Sequence, residues 1–163
     1  DGSGCSDTGT EVLTNTGSVT ANASASNTSI CTGDNVTLTA TGGISYTWST
    51  GQTTASFVDT PAGTTTYNVT VIDASGCSDN ATITVTVNTN PTTTVTSDTT
   101  ICAGESILLT ANGGTTYFWN TTETTQSVVA SPSSTATYSV IASNGSCTGT
   151  TARWLLLCFR LQT

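Results

Sequence analysis

Apolar and polar residues alternate along most of this chain, in short runs. Residues 36–40 read VTLTA, residues 65–72 read TTYNVTVI and residues 81–87 read ATITVTV. A period of two puts every second side chain on one face, the pattern of a half-buried β-strand, and no window shows helical period. Strands are predicted over residues 18–24, 36–40, 44–49, 54–58, 65–72 and 81–87. Ile44, Tyr46 and Trp48 fall on one face of the third, and Tyr67, Val69 and Val71 point inward from the fifth. Turns are predicted at Cys31-Thr32-Gly33-Asp34, Thr41-Gly42-Gly43, Gly51-Gln52, Pro61-Ala62-Gly63 and residues 73–76.

The pattern then repeats. Residues 30–77 return, altered, as residues 101–147, with an offset of 71 from Ile30/Ile101 through Tyr67/Tyr138. Cys31, Gly33, Leu38, Gly42, Tyr46, Trp48 and Pro61 match Cys102, Gly104, Leu109, Gly113, Tyr117, Trp119 and Pro132. One residue is lost in the last loop, so Cys77 matches Cys147 at an offset of 70. The repeat defines the fold unit. Strands of the second copy are predicted over residues 107–110, 116–120, 126–130 and 137–142. Short strands broken by turns every eight to twelve residues point to an antiparallel sandwich. The chain reads as all-β, two tandem sandwiches over residues 18–88 and 89–163, joined by a short linker holding Pro91.

Both ends depart from the repeat. Residues 3–7, SGCSD, are identical to residues 75–79, so residues 1–17 resemble the last strand of a preceding repeat whose body is missing. A lone strand needs a partner. Residues 150–161 stand where ATITVTV stands in the first repeat, but they are apolar on both faces. Two readings stay open for the pair of ends. They are strands exchanged between subunits, with Val12, Leu13, Trp154, Leu155, Leu156, Leu157 and Phe159 as assembly residues. Alternatively they are scars of cutting a longer repeat array.

Composition narrows the function. Only 7% of the 163 residues are charged, with ten acids against two bases and no His. Thr, Ser and Asn carry solubility, and Thr suits strands. A phosphate backbone is bound by clustered Lys and Arg, so a nucleic-acid partner is excluded. No apolar run reaches the length of a membrane-spanning helix. The chain begins at Asp1 with no apolar leader, which reads as a mature form or a fragment.

The six cysteines are Cys5, Cys31, Cys77, Cys102, Cys147 and Cys158. Without His or a Cys-x-x-Cys pair there is no zinc site to build. One pair per repeat reads as a structural disulfide of an oxidising compartment, so the chain is expected to be secreted or on a cell surface. If every connection reverses the chain, Cys31 and Cys77 meet at one end of the first sandwich, and Cys102 and Cys147 at one end of the second. Cys5 and Cys158 are then left over, and each lies in an anomalous terminal strand. An intermolecular Cys5–Cys158 bond would lock a head-to-tail joint.

The run Ile-Cys-x-Gly-Asp/Glu-x-x-x-Leu-Thr-Ala-x-Gly-Gly, then Tyr-x-Trp-Ser/Asn-Thr, Pro and Thr-Tyr-x-Val, resembles the immunoglobulin-like and PKD-like repeats of large secreted Bacteroidetes surface proteins. The resemblance covers about residues 18–150, twice over. It implies tandem immunoglobulin-like β-sandwiches in an adhesin, filament or modular exported protein, without catalysis. The residues after Ala152 depart from it. Asp98-Thr99-Thr100 is similar to a short O-glycosylation signal of that phylum.

Candidate chemistry is sparse. No general base, paired carboxylates or metal set emerges, so the chain is expected not to be an enzyme and to need no cofactor. Asp34, Asp73 and Asp79 would meet near one end of the first sandwich and could bind calcium, against the reading of solvated turn acids. Tyr46, Trp48, Tyr117 and Trp119 could stack sugars, but their alternation with polar residues favours the core. The expected function is a structural subunit of an extracellular bacterial filament or adhesive fibre, with itself as partner. The alternative is a spacer or carbohydrate-binding module of a large adhesin or exported enzyme, meeting surface glycans or other cells.

Overall fold

The computed structural model describes residues 18–96 and 100–159. Fifteen strands and no helix lie among them. The first repeat supplies β1 (Asn22–Ala25), β2 (Ser29–Cys31), β3 (Val36–Thr41), β4 (Ser45–Trp48), β5 (Ser56–Asp59), β6 (Thr65–Ile72) and β7 (Ser78–Asn88). The second supplies β8 (Thr94–Val95), β9 (Thr100–Cys102), β10 (Ile107–Asn112), β11 (Thr116–Trp119), β12 (Ser127–Ala130), β13 (Ala136–Asn144), β14 (Cys147–Thr148) and β15 (Ala152–Phe159). Each repeat forms two sheets. Their strand orders are β1-β3-β5 and β2-β7-β6-β4 in the first, and β12-β10-β8 and β11-β13-β15-β9 in the second. The fold is a pair of immunoglobulin-like sandwiches; the alternation predicts the sandwich, and the resemblance its immunoglobulin-like form.

The first strand of each repeat divides between its two sheets. β1 pairs with β3, the chain crosses at Ser26-Asn27-Thr28, and β2 then runs parallel to the end of β7, with Ser29 opposite Thr86 and Cys31 opposite Asn88. The second repeat does the same with β8 beside β10 and β9 parallel to β15. Alternation along one strand cannot announce this parallel pairing, because it carries no information on direction. It is the reason the assumption that every connection reverses the chain fails.

The described residues fall into two compact units. One holds the described residues up to Ser24, with Leu38–Phe57 and Tyr67–Ile83. The other holds Ala25–Thr37, Val58–Thr66 and the described residues from Thr84 onward. The second unit therefore contains all of repeat two together with β2 and the turn that follows it.

The inward positions are those the pattern marks. Val36, Leu38, Tyr67, Val69, Val71 and Val85 are fully buried, and Trp48 nearly so. In repeat two, Ile101, Leu109, Ala111, Tyr117, Trp119, Val128, Ala130, Val140, Ala142, Trp154 and Leu156 form one buried cluster. Each large side chain so buried stabilises its sandwich by roughly 1.5–3 kcal/mol. Ile44 does not join them. It precedes β4 and is 73% exposed.

The last strand corrects the expectation of burial on both faces. Cys158 lies opposite Ile101 as Val87 lies opposite Ile30, so the offset returns to 71. The residue lost before Cys147 is restored between Cys147 and β15. Trp154 and Leu156 then take the inward places of Ile83 and Val85, while Leu155 faces out at 47% exposure. β15 also has strand partners within the chain. Its backbone pairs with β13 on one side, Tyr138 opposite Trp154, and with β9 on the other, Leu157 opposite Thr100 and Phe159 opposite Cys102.

Candidate functional site

The repeated motifs spend their chemistry on the fold. Cys-x-Gly-Asp/Glu is a tight turn in which the fourth residue's N–H returns to the cysteine carbonyl, 3.0 Å for both Asp34 and Glu105. Gly33 and Gly104 have φ of 93° and 91°, the left-handed conformation that this turn position requires. The acid caps the turn. Asp34 Oδ2 accepts from the Cys31 N–H at 3.0 Å, and Glu105 Oε2 from the Cys102 N–H at 2.9 Å.

Gly-Gly and Tyr-x-Trp form a second unit. Gly42 and Gly113 have φ of 113° and 104°, and a Cβ on either would lie 2.0 Å from a backbone oxygen, Thr20 O or Thr92 O. The tyrosine hydroxyls donate to the next glycine's carbonyl, Tyr46 to Gly43 at 2.6 Å and Tyr117 to Gly114 at 2.7 Å. The tryptophan Nε1–H groups donate to Thr54 O at 3.0 Å and Thr125 O at 2.9 Å. Trp48 is 2% and Trp119 0% exposed, so these aromatics are core and offer no sugar-stacking platform. Trp154 is different, for its buried Nε1 has no hydrogen-bond partner among the described residues.

The three acids do not assemble. Asp79, at the start of β7, accepts from the Ala21 N–H at 2.8 Å and from the Asn80 N–H at 2.8 Å. The Ala21 bond first, and the Asn80 bond second, hold its pKa below the ordinary carboxylate value. Asp73 Oδ1 accepts from the N–H groups of Ser75 and Cys77 in the preceding turn, at 2.8 and 2.9 Å. Asp34 follows β2, which runs beside the far end of β7. Among the described residues no group of three or more metal-ligating side chains occurs.

The cysteines carry the main departure from expectation. Cys31 is bonded not to Cys77 but to Cys147, across a sequence separation of 116 with Cα atoms 5.6 Å apart. The parallel pairing of β2 with β7 explains why. Cys31 lies beside Asn88 at the end of β7, whereas Cys77 precedes Ser78 at its start. Ten residues of strand separate those ends, roughly 33 Å, far beyond disulfide reach. The same pairing sets Cys102 beside Phe159, at the end of β15, while Cys147 precedes that strand, so a Cys102–Cys147 bond does not form either. Cys102 is an exposed thiol.

The second unit holds the bond together with its surroundings. Asn88 Nδ2 donates to Ser29 Oγ at 2.9 Å, and Asn90 Nδ2 to Thr32 O at 3.2 Å. Thr93 Oγ1 accepts from the Ala142 N–H at 3.2 Å, and a Cβ on Gly149 would lie 2.2 Å from Pro91 O. Cys147 itself is 1% exposed. Cys31 thus lies where the chain leaves repeat one and Cys147 where it enters repeat two, and the bond stitches repeat to repeat. Sequence reasoning missed β2 as a strand of its own, for which the signal was Ser29-Ile30-Cys31, a short apolar-centred run just before the turn, set off from the first strand by polar residues.

Cys5, Val12 and Leu13 lie outside the described residues, as do Asp98 and Thr99. Trp154 and Leu156 are core, Leu155 is exposed, and Leu157, Cys158 and Phe159 are placed by backbone pairing alone. The outer faces of repeat two are more apolar than those of repeat one. Leu108 and Val129, opposite one another on β10 and β12, are 59% and 68% exposed, and Phe118 on β11 is 56% exposed. Thr37 and Thr47 stand at the positions of Leu108 and Phe118 in repeat one.

Comparison with protein-family models found no match, and neither did comparison with curated proteins. Among solved structures, the three N-terminal domains of the bacteriophage RB49 highly immunogenic outer capsid protein are similar at 19% identity and a TM-score of 0.48. The match covers 86% of this chain and 59% of that one, so this chain spans only part of that structure's length. Murine CEACAM1b is 15% identical with a TM-score of 0.42, over 86% of this chain and 100% of that one. A bacterial ice-binding adhesin is 16% identical with a TM-score of 0.39, over 86% of this chain and 65% of that one. At such identities and scores the likeness carries no inference about activity or partners.

Proposed function

We propose that this chain is a non-catalytic structural module of an extracellular bacterial surface fibre or adhesin, built to be joined end to end and to carry tension. The observation that supports it best is the Cys31–Cys147 bond. A pull on the two ends of the chain enters at residue 31, crosses the bond and leaves at residue 147. The residues between are shielded from extension. A disulfide of this kind needs an oxidising compartment, which fits a secreted or surface protein. The repeated Asp/Glu, Tyr and Trp groups are engaged in turns or core.

Head-to-tail assembly by exchange of terminal strands is the finer form of this reading. The C-terminal strand β15 has partners within the chain, β13 over residues 152–156 and β9 over residues 157–159, which does not favour the C-terminal half of that scheme. What supports an exchanged N-terminal strand is the identity of residues 3–7 with residues 75–79. Deletion of residues 1–17 tests it. Sedimentation of the native chain should show polymers that this deletion abolishes; polymers that survive it would refute strand exchange.

A further inference from the structure

We propose that the outer face of β11, β13 and β15 in repeat two is a pairing surface for a second copy of this chain, related by a two-fold axis along β13. The same sheet face occurs twice in this molecule and is dressed in two ways. In repeat one its outward residues include Thr47 on β4, Thr66 and Thr70 on β6, and Thr82 and Thr84 on β7. Their hydroxyls bond within the face, Thr66 with Thr84 at 2.8 Å and Thr70 to Asn80 Oδ1 at 2.6 Å. At the offset of 71, repeat two carries Phe118 for Thr47, Ile141 for Thr70, Arg153 for Thr82 and Leu155 for Thr84. Phe118 stands directly opposite Ile141, and Phe118 and Leu155 are both exposed. Arg153, opposite Ser139, lies on the same face between Ile141 and Leu155. A hydrogen-bonded threonine face has become an apolar one.

The charges fit a second copy. Where repeat one has Gln52, repeat two has Glu123. Glu123 lies beside β11, where its carbonyl accepts from the Trp119 N–H at 2.9 Å. Arg153, one of two bases in the chain, lies on β15. Both residues are exposed. β13 runs between β11 and β15, so opposite charges stand on the two sides of an apolar middle. A two-fold axis along β13 lays β15 of the second copy over β11 of the first. The Asn120 N–H donates to Ser139 O at 2.9 Å, so Asn120, Ser139 and Arg153 share one level of the sheet. Arg153 of the second copy therefore arrives one residue from Trp119 and its neighbour Glu123. The ion pair forms twice, once on each side, and the two Ile141 side chains meet on the axis. An axis across the strands would lay β15 over β15 instead, with arginine against arginine.

The surface is small. Its outward residues span about 20 Å along β13, and three strands are about 14 Å across. Two copies then bury less than the roughly 1,200 Å² at which stable complexes begin. A contact of this class is weak between single chains, and repetition along an array strengthens it through effective concentration. Burial of Phe118, Ile141 and Leu155 drives it, and the two ion pairs fix its register. A symmetric contact closes on itself and makes pairs rather than fibres. The pairing therefore joins chains side by side, whether or not they also join at their ends.

Sedimentation equilibrium of the full chain at low salt, up to the millimolar range, tests the pairing. The expected result is a dimer that is lost when Phe118→Thr and Leu155→Thr are combined. These changes introduce only what repeat one already carries at the same places, and tryptophan fluorescence checks that the variant folds. Arg153→Glu and Glu123→Arg should each weaken the dimer about tenfold or more, because like charges then meet. The two together should restore it. A chain that stays monomeric would overturn the proposal. So would a dimer unchanged by the threonine substitutions, or a double charge exchange that restores nothing. Deletion of residues 1–17 should leave this dimer in place; a dimer that it abolishes would belong to strand exchange and overturn the pairing. A monomer that instead binds alginate, a uronic-acid polysaccharide, and loses it in Arg153→Glu would assign the face to an acidic glycan and overturn the pairing as well.

Discussion

Replacing Cys147 by alanine removes the stitch between the repeats, and its cost can be worked from the chain it closes. The bonded cysteines are 116 residues apart. The chain-entropy relation gives a loss of about 16 cal/mol/K for a loop of that length, or about 5 kcal/mol at 25 °C. A bond from Cys31 to Cys77 would close a much shorter loop and contribute about 4 kcal/mol on the same relation, so the size of the effect does not tell the two apart. Coupling does. Cys31→Ala and Cys147→Ala each break the same bond, so the double variant should lose little more than either single one. Cys31→Ala and Cys77→Ala touch separate features and should add within about 0.5 kcal/mol. The assay is urea unfolding followed by tryptophan fluorescence, since Trp48 reports repeat one and Trp119 and Trp154 report repeat two. If residues 31 and 77 fail to add while residues 31 and 147 do, the bond runs inside repeat one and the reasoning is refuted.

Other outcomes follow from the same geometry. Gly113→Ala meets both an unfavourable φ and Thr92 O at 2.0 Å, whereas Gly51→Ala meets only an unfavourable φ of 86° with nothing within 4 Å. The first should cost clearly more than the roughly 1–2 kcal/mol expected for the second, and thermal unfolding of both variants checks the order. Trp119→Phe should destabilise more than Trp154→Phe, because only Trp119 loses a hydrogen bond, to Thr125 O; equal losses in urea would contradict this. The Asp79 carboxylate has its pKa lowered by the Ala21 and Asn80 N–H groups. Its contribution is present above its unfolded value near 3.8 and lost as pH falls through the lower folded value. Asp79→Asn should therefore lower the unfolding midpoint at pH 6, with the difference from the parent chain narrowing as pH falls below 3.8; a gap that does not narrow would rule the linkage out.

The sandwich class and the two-fold repeat are legible in the sequence because alternation and self-similarity are local. VTLTA and TTYNVTVI became β3 and β6 with the inward residues in place, and Tyr-x-Trp proved to be core. Direction and partner are not local. Nothing in Ser29-Ile30-Cys31 states that it runs parallel to a strand nearly sixty residues later, and that one fact moves Cys31 to the far end of the sandwich and changes its disulfide partner. The run WLLLCF looked two-faced because Leu155 is apolar yet exposed, and hydrophobicity alone does not say which face a residue takes. Register across β13 and β9 does.

The most direct test of the tension-carrying account is single-molecule stretching of the full chain, tethered at its two ends, with and without reductant. With the Cys31–Cys147 bond intact, the residues between are bypassed, so complete unfolding should release about 400 Å less contour length than after reduction, at roughly 3.3–3.6 Å per residue. Equal contour lengths in the two conditions would show that the bond does not bridge the repeats, and the account would fail.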